Sequence, residues 1–126
     1  MPVLRIRGPS REVPIVMTYA ITLDVSQPAE MYERVHAVVT QRLGRELPKG
    51  CLLHLAERTD GGFSVTEVWE SHEAADRFGD DVLRPVILEV SGLTEAEMLA
   101  QGPRPSRELA LLGLAVDARA RVGAQS

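Results

Sequence analysis

The segment that most constrains this chain is Gly50 to Ser71, GCLLHLAERTDGGFSVTEVWES. Two apolar-rich stretches flank Asp60-Gly61-Gly62, residue types that tight hairpin loops favour because they tolerate positive φ. The segment therefore reads as a β-hairpin. A loop at Gly61-Gly62 sets His54 opposite Trp69 and Ala56 opposite Glu67. A loop at Asp60-Gly61 sets His54 opposite Glu67 and Leu52 opposite Trp69. Both registers give the same two faces, because strand side chains alternate. One face carries Leu53, Leu55, Thr66 and Val68, which suits packing beneath helices. The other carries His54, Ala56, Glu67 and Trp69. Titratable groups beside an aromatic are costly to bury without a partner or a purpose, so chemistry is expected on this second face.

The remaining chain supplies partners for such a hairpin. Ile15 to Asp24 alternates as a strand, with Met17, Tyr19, Ile21 and Leu23 on one side; neither side is clearly the more apolar. Ser26 is a candidate helix cap, and Pro28 suits a first turn, where its missing N–H has no intrahelical partner. Met31, Val35, Val38, Val39 and Leu43 recur at helical spacing as a buried stripe. Gly44 is the expected stop, and Pro48 and Gly50 mark a loop. Ser71 caps a second helix whose apolar side is Ala74, Ala75, Phe78 and Val82. Gly79 and Pro85 predict a break before a further helical piece. Leu93 to Ala100 reads as a short helix with Thr94 at its start. Glu108 to Val116 reads as a last strand.

The order is β-α-β-β-α-β, a ferredoxin-like α+β fold whose antiparallel sheet carries helices on one face. The helix-free face needs a cover, and a His/Glu/Trp face suits a second subunit, so a homodimer is expected. Residues 1–14, with Pro2, Gly8, Pro9 and Pro14, read as a loosely held N-terminal arm. The domain is expected over 15–116, with a flexible C-terminal tail over 117–126.

At 126 residues one domain is the expectation. The net charge of −4 and the lack of a basic, aromatic-interleaved stripe argue against nucleic acid or an anionic membrane as partner. No apolar run is long enough to span a bilayer, and no secretory leader is apparent. The single cysteine, Cys51, fits a reducing, cytoplasmic setting.

The hairpin and the helix after it resemble the dimeric α+β-barrel superfamily, and specifically the small proteins grouped around the antibiotic biosynthesis monooxygenases. The residues that carry the likeness are Gly50-Cys-Leu-Leu-His54, Asp60-Gly-Gly62, Val65-Thr-Glu-Val-Trp-Glu-Ser71, Glu73-Ala74, Phe78 and Leu83-Arg-Pro85. The resemblance implies two sheets facing each other across a dimer and a pocket beside each sheet. It also implies oxidation of hydrophobic phenolic or polycyclic, polyketide-like molecules without a cofactor. The scaffold also hosts cyclases, isomerases, haem-binding members and non-catalytic dimeric ligand-binding proteins, which stand as alternatives. The long N-terminal arm and the segment between Pro85 and Ser106 depart from the monooxygenase pattern.

Four residues are candidates for the site. His54 is a general base whose ordinary pKa, ~6.5, lies near working pH, or a sheet histidine bonded to Glu67. Glu67 orients His54 or takes the proton itself. Trp69 walls an aromatic pocket or packs in the core. Tyr19 is a possible further wall. His36 is expected at the edge of its helix stripe in a surface role, and His72 is expected to be exposed. The three histidines lack zinc-site spacing. Cys51 reads as a small apolar residue, and Arg84 as a helix-end group. No metal or organic cofactor is expected.

Overall fold

The computed structural model describes residues 3–7, 11–44 and 46–117. Among the described residues, seven strands and four α-helices run in chain order: β1 (Val3–Arg7), β2 (Arg11–Pro14), β3 (Tyr19–Val25), α1 (Ala29–Leu43), β4 (Cys51–Thr59), β5 (Gly62–Trp69), α2 (His72–Phe78), α3 (Arg84–Ser91), α4 (Glu95–Ala100), β6 (Ser106–Leu109) and β7 (Ala115–Asp117). The main sheet has the order β4-β5-β3-β6, all neighbours antiparallel. With α1 after its first strand and α2–α3 after its third, this is the expected ferredoxin-like α+β arrangement.

The hairpin takes the Asp60-Gly61 loop. Thr59 pairs with Gly62, and His54 pairs with Glu67. The expected pairing of Leu52 with Trp69 does not occur, because a bulge lies between Cys51 and Leu53 and sets Cys51 opposite Trp69. The extra residue reverses the alternation, as bulges do. Cys51 therefore joins Trp69 in one cluster, and Leu52 joins Val68 in the other. At the tip, Gly62 has φ +154, and a Cβ there would run into the Val25 and Gln27 carbonyls. That contact seats the hairpin loop against the chain entering α1.

The helices cover the opposite face from the one expected. α1 reaches the sheet through Tyr32, which bonds His54, and α2 through Phe78, whose ring lies 5.4 Å from that of Trp69. The His54/Glu67/Trp69 face is thus covered by the chain's own helices. The Leu53/Leu55/Thr66/Val68 face is the helix-free one. Alternation alone could not decide this, since both faces carry large apolar residues. One end of the helix-free face is buried against Ile15, Ala20, Leu52, Leu109, Leu111 and Leu114, while Leu55 is 56% exposed.

Other elements depart from the sequence expectation in identifiable ways. Ile15–Met17 is a 3₁₀ turn, and the strand begins at Tyr19. The N-terminal segment read as an arm contains β1 and β2, which form a second, three-stranded sheet with β7. The expected last strand is two: Ser106–Leu109 closes the main sheet and Ala115–Asp117 pairs with β1. The residues beyond 117 lie outside the described chain. Pro28, not Ser26, is the residue preceding α1, with no side-chain cap. Gly44 ends α1 at φ +79, as expected.

Ser71 caps α2 by accepting from the Ala74 N–H at 3.1 Å. The break expected at Gly79 and Pro85 is a widened π turn, Gly79–Leu83, that leads directly into α3. Pro85 falls in α3's first turn, where a wider preceding turn relieves its clash with the upstream carbonyl. Thr94 and Glu97 form a reciprocal capping box at the start of α4. α3 packs on α1, with Arg42 bonded to Glu89 at 2.6 Å and Arg34 to the Val90 carbonyl at 3.0 Å. The Leu43 end of α1's apolar stripe is exposed. Among the described residues, no helix is long and apolar enough to cross a membrane.

Candidate functional site

Register places His54 and Glu67 side by side on adjacent strands, on the face beneath α1. His54 Nδ1 lies 2.9 Å from Glu67 Oε2, with side chains 25% and 16% exposed. On the other side of the ring, His54 Nε2 lies 2.7 Å from the Tyr32 hydroxyl. The second Glu67 oxygen, Oε1, accepts from Trp69 Nε1 at 3.2 Å. The donors follow from the groups themselves. An ionised carboxylate only accepts, so Nδ1 carries the proton and donates to Glu67. In the neutral imidazole Nε2 is then an acceptor, and the Tyr32 hydroxyl donates to it. The order hydroxyl, imidazole, carboxylate is that of relays in which a histidine activates a hydroxyl and a carboxylate fixes its tautomer.

Rings hold this relay in place. Tyr32 lies parallel to His36 at 5.5 Å and to His54 at 5.8 Å, and Phe63 tilts against it at 5.6 Å. His36 and His54 are 6.1 Å apart, also near parallel. Burial raises the Tyr32 pKa above its ordinary value, and the Glu67 charge raises it further. Burial lowers the His36 pKa, and nearby His54 adds to the effect. Both shifts keep these groups neutral at the relay.

The sequence-derived residues do not all meet. His54, Glu67 and Trp69 converge. Trp69 is 1% exposed and is enclosed by its own chain, so it packs and fixes Glu67 instead of offering an open wall. Tyr19 shares the face and pairs with Trp69, but its ring tilts against that of His72 at 4.3 Å, to one side of the relay. His72 is exposed as expected and pairs with Asp76. His36 sits half-buried at the edge of its helix stripe, as expected, but its ring stacks in the site instead of serving a surface role. Cys51 is buried as expected; burial and then the Glu67 charge push its thiol up to about 12, so it is no nucleophile. Arg84 bonds Asp80 one turn earlier, at 2.7 Å.

Tyr32 was not among the candidates drawn from the sequence. A signal existed: Tyr32, Val35, His36 and Val39 share one face at helical spacing, so an apolar stripe continues into a tyrosine and a histidine. Open clefts among the described residues lie elsewhere. One, of about 380 Å³, sits between the hairpin tip and the start of α1, and another is lined by Asp24–Gln27 and Gln101–Pro105.

No family model matches this chain, and no curated protein does. Solved structures do resemble it. One is described as a putative antibiotic biosynthesis monooxygenase from Caulobacter crescentus, at 21% identity over 75% of this chain and 88% of that one, with a TM-score of 0.49. Another is a monooxygenase from the gene ActVA-Orf6 of Streptomyces coelicolor, in complex with nanaomycin D, at 22% identity over 80% and 92%, with a TM-score of 0.44. A third is SnoaB, a cofactor-independent oxygenase from Streptomyces nogalater, at 17% identity over 86% and 96%, with a TM-score of 0.43.

Proposed function

We propose that this chain is a cofactor-independent monooxygenase-like enzyme acting on a hydrophobic phenolic or polycyclic, polyketide-like molecule. The observation that carries the reading is the half-buried His54 ring, fixed at one nitrogen by Glu67 and at the other by a hydroxyl. That arrangement suits a general base, because the carboxylate fixes the ring tautomer and orientation. The reaction class comes from the sequence resemblance of the hairpin. His54 is the base, Glu67 its orienting carboxylate, and Trp69 the group that fixes Glu67. Tyr19 is assigned to the rim of the site.

The chemistry needs no external reductant. Deprotonation of an electron-rich substrate gives an anion. The anion passes one electron to O2, and the substrate radical and superoxide combine at carbon. The peroxide anion takes back the proton held by the base, and loss of water from the resulting hydroperoxide leaves a carbonyl. A methylene and O2 thus become a carbonyl and water. A homodimer is part of the same proposal: the exposed Leu55 on the helix-free face gives a second copy an apolar surface to cover. Sedimentation velocity tests it, and a monomer at tens of micromolar would count against it.

The test of activity uses dithranol, a dihydroxyanthrone with an acidic methylene beside phenols. Wild type should consume O2 and form the quinone. His54→Ala should lose on the order of 100-fold or more in turnover. Conversion that continues unchanged under argon would exclude oxygenation and favour a cyclase or isomerase on the same scaffold. Turnover indifferent to His54 would sink the proposal.

A further inference from the structure

We propose that the Tyr32 hydroxyl, standing between substrate and His54, is the group that receives the substrate's proton; this rests on the base reading above. The imidazole Nε2 has one in-plane lone pair, and the Tyr32 hydroxyl occupies it at 2.7 Å. No substrate proton reaches Nε2 while that bond persists. The phenol is also held against swinging aside, because its ring is packed by His36, His54 and Phe63. The Tyr32 oxygen, however, donates one hydrogen and keeps lone pairs free to accept another. A substrate hydroxyl or acidic C–H is therefore met by Tyr32.

The step balances as a concerted relay. The substrate X–H bond breaks and its electron pair stays on the substrate. That proton forms a new O–H bond on Tyr32. The original Tyr32 O–H breaks, and its proton forms an N–H bond on His54 Nε2. The products are a substrate anion, an unchanged tyrosine and an imidazolium facing the Glu67 carboxylate at 2.9 Å. The raised Tyr32 pKa fits this role, because the hydroxyl remains protonated at rest and acts only as a carrier.

The test is anaerobic mixing of dithranol with wild type, Tyr32→Phe and His54→Ala, following the ionised anthrone by its absorbance. Tyr32→Phe keeps the ring and its stacking and removes only the hydroxyl. The relay requires rapid ionisation by wild type and a rate lowered on the order of 100-fold in both variants. If Tyr32→Phe is as fast as wild type or faster while His54→Ala is slow, the relay is wrong and the base reading survives. If the wild type does not ionise dithranol, or does so without regard to His54, both fall together. The chain has two tyrosines. Biosynthetic fluorotyrosine in a Tyr19→Phe background therefore alters Tyr32 alone with little change in shape, and covers the case in which Tyr32→Phe does not fold. The more acidic phenol should change the ionisation rate relative to the unlabelled Tyr19→Phe protein, and an unchanged rate would overturn the relay.

Discussion

The two faces of the main sheet solve the same problem with different chemistry. The helix-covered face buries Trp69 and Phe63 together with a histidine and a glutamate. It tolerates the polar groups because each has a partner, and no buried side-chain nitrogen or oxygen among the described residues lacks one. The helix-free face carries Ala20, Val68 and Leu52 at its buried end. Further along it carries Thr22 and Thr66, whose hydroxyls meet at 2.9 Å, and the exposed Leu55. The polar face is the more enclosed of the two. Burial here follows hydrogen-bond satisfaction and helix placement, not apolar count.

The comparison breaks most readily at its two extremes. Trp69→Ala should remove about 3–5 kcal/mol of stability, because it empties a site that is 1% exposed and also releases Glu67. Leu55→Ala, on the opposite face of the same hairpin, should change stability by no more than about 0.5 kcal/mol in the monomer. Urea denaturation of both variants checks this. Similar losses would mean that the helix-free face is covered in solution, and the Leu55 effect would then rise with protein concentration.

Much of this architecture was legible in the sequence, and what was not has local causes. The Asp60-Gly61-Gly62 turn and strand alternation located the hairpin and set His54 near Glu67, because turn chemistry and period-two geometry are properties of short segments. The Ser71 cap and the Gly44 stop were legible for the same reason. The bulge at Leu52 was not, since nothing in Cys51-Leu52-Leu53 distinguishes an extra residue from a regular one. Nor was the choice of covered face, which depends on where α1 and α2 land after the chain has folded. Tyr32 does not stand out in a helix read for its apolar stripe alone, and His36 stands out only as a stripe-edge residue, because what either ring meets depends on how α1 lands on the sheet. Glu108 to Val116 was read as one strand because its partner in a second sheet, β1, lies more than a hundred residues upstream. The part of the candidate site that lies on the hairpin was the readable one; the part on α1 was not.

The threonine pair sharpens the contrast at a smaller scale. Thr22 and Thr66 face each other across β3 and β5 on the helix-free side. Thr66→Val alone should cost about 1 kcal/mol, because it leaves the Thr22 hydroxyl half-buried without its partner. Thr22→Val with Thr66→Val should cost less than the sum of the two single changes, since both polar groups are then gone and the shape is kept. A double-mutant cycle reads the coupling, expected at about 0.5 kcal/mol. Additive losses would show that the two hydroxyls do not interact.

The smallest effect separates the faces by pH. Burial, and then His54, hold the His36 pKa below its ordinary 6.5. The groups facing His36 are Tyr32 on its own helix and His54 on β4, with Glu67 behind His54 on β5. Above the unfolded pKa neither state carries the His36 proton, so the residue contributes no slope. As pH falls through about 6.5, the unfolded chain takes the proton first and the folded chain resists it. Stability therefore falls with pH until the folded pKa is passed. His36→Gln removes that loss, so its urea midpoint should decline less than the wild type's between about pH 7 and pH 5. Thr66→Val, on the other face, should keep the wild-type slope while lowering both midpoints. A steeper decline in His36→Gln would mean that protonated His36 is stabilised in the folded chain, and the ring stack would then be held by charge instead of neutral contact.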